Sequence, residues 1–154
     1  MTDPVLGLPE LLLVVTRGVF DRVHEQLAAA GHAVRPAHGY VFQLLATTGG
    51  ASGTEIAQHL GVTKQAAAQL VDGLEQQGYV TRTPDPREHR ARLAVLTDRG
   101  WECIREAERL WRAEEDDVAD VLGAAGADAL RDGLARLAEA RGWLAPPLRL
   151  KPVW

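Results

Sequence analysis

SGTEIAQHLGVTKQAAAQLVDGLEQQGYVTRTPDPREHRARLAVLTDR, residues Ser52 to Arg99, decides the fold. Ser52-Gly53-Thr54-Glu55 spells a capping box: the Ser52 hydroxyl accepts from the backbone of Glu55, and the Glu55 side chain reaches back to the backbone of Ser52. Ile56, Ala57 and Leu60 then share one helical face, and Gly61 ends the helix because glycine enters the left-handed region without strain. Val62 alone separates that stop from the next start. Thr63 caps a second helix predicted from Lys64 to about Gln77, with Ala67, Leu70, Val71 and Leu74 inward and Gly78 as terminator. Two β-prone runs follow, Val80-Thr81-Arg82-Thr83 and Arg92-Leu93-Ala94-Val95-Leu96, joined by the turn-rich Pro84-Asp85-Pro86-Arg87-Glu88-His89. Helix, tight turn, helix and hairpin, in that order, describe a winged helix-turn-helix in a chain that is mainly α with a small β-hairpin wing.

The outward face of the second helix begins with Thr63, Lys64, Gln65, Ala68 and Gln69, residue types that reach phosphates and base edges in a major groove. The hairpin concentrates Arg82, Arg87, Arg90 and Arg92, and a narrow minor groove attracts arginine through its negative potential. Arg87 and Arg90 are therefore expected at the minor groove, with Arg82 and Arg92 as phosphate or structural contacts. An exposed hairpin also carries arginines simply to keep its edge from pairing with other chains.

Thr63-Lys64-Gln65-Ala66, Leu70-Val71-Asp72, Leu74-Glu75, Gly78-Tyr79-Val80, Arg82, Glu88-His89-Arg90-Ala91 and Leu96-Thr97-Asp98-Arg99-Gly100 together resemble the signature of the multiple antibiotic resistance regulator (MarR) family. The resemblance implies a homodimeric transcription factor, usually a repressor, that binds a palindromic operator and is released by a small ligand. Two departures stand out. The family's wing commonly carries an aspartate, one residue and an arginine, where this chain has Glu88-His89-Arg90 with a longer acid. Its recognition helix often carries a central arginine, where this chain has Gln69 after the alanines Ala66 to Ala68.

Outside the motif the chain reads as helical. Pro9 suits a first helical position, and Leu11 through Val15, Val19, Phe20, Val23 and Leu27 support a helix closed by Gly31. Another follows Pro36, carries Tyr40, Val41, Leu44 and Leu45 inward, and stops at Gly49-Gly50. Thr97 caps a long helix to Leu122, and a last one is expected from about Ala127 to Leu144 after a break from Gly123 to Gly126. Trp101, Ile104 and Trp111, and then Leu130, Leu134 and Leu137, form stripes that suit either monomer core or dimer contact. The chain is thus predicted to be one unit over 1–154, with the winged helix-turn-helix over 36–100 and, by resemblance, dimerisation helices and tail over 5–31 and 98–154. The apolar residues of the tail Ala145 to Trp154 are expected against a partner subunit.

A chain of 154 residues can bury a substantial single core. Its formal net charge of -4 argues against a nonspecific nucleic-acid coat but not against a local basic face. The acidic run Glu114-Glu115-Asp116-Asp117 lies far from the wing arginines in sequence. Leu11 to Val15 is too short to span a bilayer, and a single Cys103 cannot form an intrachain disulfide. A cytoplasmic protein is the expectation, without membrane partner or cofactor.

Two dimer-related recognition helices would enter successive major grooves about 34 Å apart, so the operator should be an inverted repeat. A ligand favouring a dimer with misaligned reading heads would shift the population away from DNA. In the resembled family such ligands lie between dimer helices and reading head. Here the pairs Phe20 and His24, and His38 and Phe42, each at i, i+4, are candidate lining for a small aromatic or phenolic ligand, although rings at helical spacing also serve as packing. His24, His32, His38, His59 and His89 show no metal-ligand spacing, Cys103 has no resolving partner, and no nucleophile elbow, phosphate loop or paired-carboxylate motif suggests an enzyme. Two further readings remain: a winged-helix protein-interaction module, and a small-molecule-binding protein without DNA activity. A DNA reader should weaken steeply with salt and on loss of Lys64 or Arg90, which neither alternative requires.

Overall fold

A computed structural model of the chain describes residues 6–88 and 90–144. His89 of the wing and the tail Ala145 to Trp154 lie outside the described residues. The elements run α1 Leu8–Ala29, α2 Pro36–Thr48, β1 Ala51–Ser52, α3 Gly53–Leu60, α4 Lys64–Gln76, β2 Val80–Pro84, β3 Arg92–Leu96, α5 Asp98–Leu122 and α6 Ala124–Ala140.

α3, α4 and α5 each start where a side chain satisfies a free backbone N–H group. The backbone N–H of Glu55 donates to Ser52 Oγ at 3.3 Å while Ser52 N–H donates to Glu55 Oε2 at 2.7 Å. Ala66 N–H donates to Thr63 Oγ1 at 3.1 Å, and Gly100 N–H to Thr97 Oγ1 at 3.2 Å. Gly61, at φ 67°, turns the chain from α3 into α4. With their starts fixed, Ile56, Ala57 and Leu60 of α3 meet Ala67, Val71 and Leu74 of α4 in one core with Val41, Phe42 and Leu45 of α2. Burying a leucine or isoleucine side chain there contributes on the order of 1.5–3 kcal/mol.

The wing differs from the expected hairpin in having a third strand. β3 pairs antiparallel with β2 over Val80↔Leu96 to Pro84↔Arg92, and its other edge pairs with β1 through Ala51↔Ala94 and Ser52↔Leu93. A two-residue strand has no alternation to reveal it in a sequence. Its effect is to fasten the inner edge of the wing to the start of α3. At the opposite end, Thr97 locks the wing to α5, donating from its backbone to Tyr79 O at 3.0 Å and from Oγ1 to Gly78 O at 2.6 Å. Gly100 completes this junction, because a Cβ at that position would lie 2.4 Å from the Tyr79 carbonyl oxygen.

The last helix begins and ends earlier than its pattern suggested. Gly123, at φ 72°, makes the break alone, so the helix-favouring Ala124 and Ala125 open α6 and Gly126 is carried inside it. Its far end closes with Trp143 N–H donating to Ala138 O at 2.9 Å around Gly142. The outer helices bury little within the chain. Leu130, Leu134 and Leu137 of α6 remain 43%, 39% and 37% exposed, and Leu11, Val14 and Val15 of α1 are exposed too. No helix among the described residues is long and apolar enough to cross a membrane.

Candidate nucleic-acid interface and adjoining cleft

Because Ala67, Val71 and Leu74 turn inward, the helical period leaves Thr63, Lys64, Gln65, Ala68 and Gln69 together on the exposed side of α4. Lys64 faces a groove of about 820 Å³ whose other walls are the start of α3 and the wing residues Asp85, Arg87, Glu88 and Arg92. Four of the residues singled out from the sequence thus lie on one helix with Thr63 as its cap, and Arg87 and Arg92 of the wing stand beside its start.

The wing arginines are not equivalent. Arg82 sits at the base of the wing, with Nη1 2.5 Å from Glu75 Oε2 and Nη2 2.5 Å from Asp72 Oδ1. Both carboxylates belong to α4, so Arg82 ties the strand to that helix and offsets acids that would repel phosphate. Arg87 is held more fully. Its Nε and Nη2 donate to Asp85 at 3.0 Å each, its backbone N–H donates to Asp85 Oδ1 at 2.8 Å, and Nη1 reaches Glu55 Oε1 at 3.1 Å. Hydrogen bonding from the Arg87 side chain, followed by the Ser52 donors, pulls the Glu55 carboxyl down to about 2. The same guanidinium and the Arg87 backbone hold Asp85 below the usual carboxylate range. Arg92 donates to the Arg82 carbonyl at 3.0 Å. Arg90 is exposed and makes no hydrogen bond or ion pair among the described residues.

The acid, one residue, arginine arrangement sought at Glu88-His89-Arg90 is therefore realised three residues upstream, at Asp85-Pro86-Arg87. The partnership of Arg87 with Glu55 spans 32 residues and has no sequence signal. The aspartate was visible only as a turn residue.

A second cavity, of about 450 Å³, opens between α1, α2 and α5. Three of the four residues expected around a ligand, Phe20, His24 and Phe42, line it with Tyr40, Gln43, Cys103, Glu108 and Trp111. Phe20 stacks with His24 at a centroid distance of 6.0 Å and meets Trp111 edge-on at 5.1 Å. His24 Nδ1 lies 2.7 Å from the Phe20 carbonyl oxygen, and since a carbonyl only accepts, that nitrogen carries the proton. His38 is not brought to the cavity wall. It is buried, and its Nδ1 accepts from Arg35 N–H at 3.1 Å, closing the start of α2. Burial first, then the neighbouring positive charge of Arg35, lowers it to about 4, so it is a neutral cap. Burial also raises the Cys103 thiol to about 11, which leaves it protonated and unreactive at neutral pH. The contributions of α5 to this wall had a partial signal, since Ile104 and Trp111 already formed a helical stripe.

An exposed helix face beside a short sheet, flanked by long outer helices, defines a winged-helix protein. The sequence profile of the MarR family matches residues 34–91. A search among curated proteins gave no match. Among solved structures, the transcriptional repressor CouR bound to a 23-mer DNA duplex is 31% identical, with a TM-score of 0.67 over 86% of this chain and 92% of that one. CouR bound to p-coumaroyl-CoA is likewise 31% identical, at a TM-score of 0.64 over 86% of this chain and 91% of that one. The transcriptional regulator Tm0710 from Thermotoga maritima is 28% identical, with a TM-score of 0.65 over 87% and 93% of the two chains. The chain belongs to the MarR family and is a transcriptional regulator.

Proposed function

We propose that this regulator is a homodimeric, ligand-responsive repressor that binds an inverted-repeat operator. The exposed start of α4 enters the major groove, where Thr63 and Lys64 meet phosphates and Gln65 and Gln69 meet base edges beside the small Ala68. Arg90 probes the minor groove from the wing tip, and Arg92 contacts the adjoining phosphates. Arg82 and Arg87 hold the wing against α4 and α3. The observation that carries this reading is the sorting of charge on and beside the wing: Asp72, Glu75, Asp85 and Glu55 are each ion-paired by Arg82 or Arg87, while Arg90 is left with none of the described carboxylates as partner.

The winged unit over 36–100 reads the DNA, and the segments 5–31 and 98–154 build the dimer within one unit of 154 residues. The half-exposed leucines of α6 and the exposed apolar residues of α1 support this, since such stripes on helices favour burial against another chain. A repressor reading follows the likeness to CouR, solved on DNA. Release would come from a ligand in the cleft between α1, α2 and α5, held more tightly by a dimer whose reading heads are misaligned.

Selection of bound duplexes from a random pool, followed by sedimentation of the complex, tests the proposal. The expected product is an inverted repeat with half-site centres about one helical turn apart, carrying two chains per duplex. A protein-interaction module would enrich no sequence.

A further inference from the structure

The cleft between α1, α2 and α5 selects ligands by charge as well as by shape. Its walls are apolar and aromatic, with the rings of Phe20, Tyr40, Phe42 and Trp111 around a volume of about 450 Å³. No lysine or arginine is among the residues that line it, and its one carboxylate is Glu108. Glu108 is exposed and makes no hydrogen bond or ion pair among the described residues, while the adjacent Arg109 is committed to Glu106 at 2.6 Å. The proton on His24 Nδ1 is already given to the Phe20 carbonyl.

A carboxylate carried from water into such a space would meet ring faces, the polar groups of His24, Tyr40 and Gln43, and another carboxylate, with no lysine or arginine on the wall to compensate its lost hydration. An ammonium group fares differently. Aromatic faces attract a cation, and an unpaired carboxylate at the rim adds to that attraction. We propose that the cleft takes an aromatic ligand bearing a protonated amine, with its rings against Phe20 and Trp111 and its ammonium toward Glu108, and that it rejects aromatic carboxylates of the same shape. The proposal rests on the reading of this cleft as the effector site, and it narrows the expected aromatic or phenolic class to an aminated aromatic one.

Three probes of one shape and different charge, 2-naphthylmethylamine, 2-naphthalenemethanol and 2-naphthoate, separate the two layers of this reading in calorimetric titrations of the full-length protein. The amine should bind about tenfold more tightly than the alcohol, and the naphthoate more weakly than either. Glu108→Gln, an exposed substitution that leaves the core untouched, should erase the amine's advantage and leave the alcohol unchanged. Location is read independently from tryptophan emission, which each bound probe should quench in the wild type and much less in Trp111→Phe. Naphthoate binding as tightly as the amine, with the Trp111 quench intact, would overturn the charge selection while keeping the cleft. Binding of no probe at Trp111 would overturn the effector-site reading and the charge proposal together.

Discussion

The wing carries the same side chain under two opposite conditions, braced and unpaired. Arg82 in β2 and Arg87 in the loop that joins β2 to β3 each engage two carboxylates, one set on α4 and the other shared between the wing and α3. Arg90, three residues after Arg87 in the same loop, has no such partner among the described residues and stays exposed. A count of arginines on the hairpin therefore overstates the charge offered to a phosphate backbone. What distinguishes a contact from a brace is which guanidinium has already spent its donors, and this is a property of the folded chain.

The largest expected effect lies at the unpaired arginine. Arg90→Ala should weaken binding to the selected operator by on the order of 1–3 kcal/mol, tens of fold, without moving the urea midpoint. Arg82→Ala should do the reverse in emphasis. It leaves Asp72 and Glu75 bare on α4, lowering stability by about 1 kcal/mol once solvent screening of this half-exposed pair is allowed for, and equilibrium unfolding will show it. A loss of operator affinity in Arg82→Ala as large as that in Arg90→Ala, at unchanged stability, would break the distinction between braced and unpaired arginines.

Acid provides a finer probe of the Arg87 brace. Glu55 is held at about 2 in the folded chain against an ordinary value of 4.5. A depressed carboxyl stabilises the fold above its unfolded value, so this contribution is complete above about pH 4.5 and is lost as pH falls toward 2. Arg87→Ala removes the largest cause of the depression and should raise the Glu55 titration midpoint, though not to its ordinary value, because the Ser52 donors remain. Carboxyl NMR titration reads this directly. The smallest effect is expected from Glu88→Gln. Glu88 lines the groove and is the acid there without an ion pair among the described residues, so its neutralisation should tighten DNA binding by about two- to threefold.

Much of the reading unit was legible because its signals are local. Ser52 with Glu55, Thr63, and Thr97 mark helix starts within four residues of themselves, and the structure starts α3, α4 and α5 at those caps. The exposed face of α4 followed from its inward residues by helical period alone. What escaped was long-range or too short to have a period. β1 is two residues long, the Arg87 contact crosses from the wing to α3, and His38 looked like a cavity residue because an i, i+4 spacing to Phe42 cannot show that its ring is needed to cap its own helix. The α6 boundary shifted because Gly126 was given the breaking role that Gly123 performs alone.

Fluorescence anisotropy of an inverted-repeat operator duplex, titrated across a salt series with wild type, Arg90→Ala and Arg87→Ala, tests the account most directly. It predicts that Arg90→Ala loses affinity and about one unit of the salt slope, while Arg87→Ala keeps the wild-type slope. Equal losses of slope in the two variants, or an Arg90→Ala protein that binds the operator as wild type does, would contradict it.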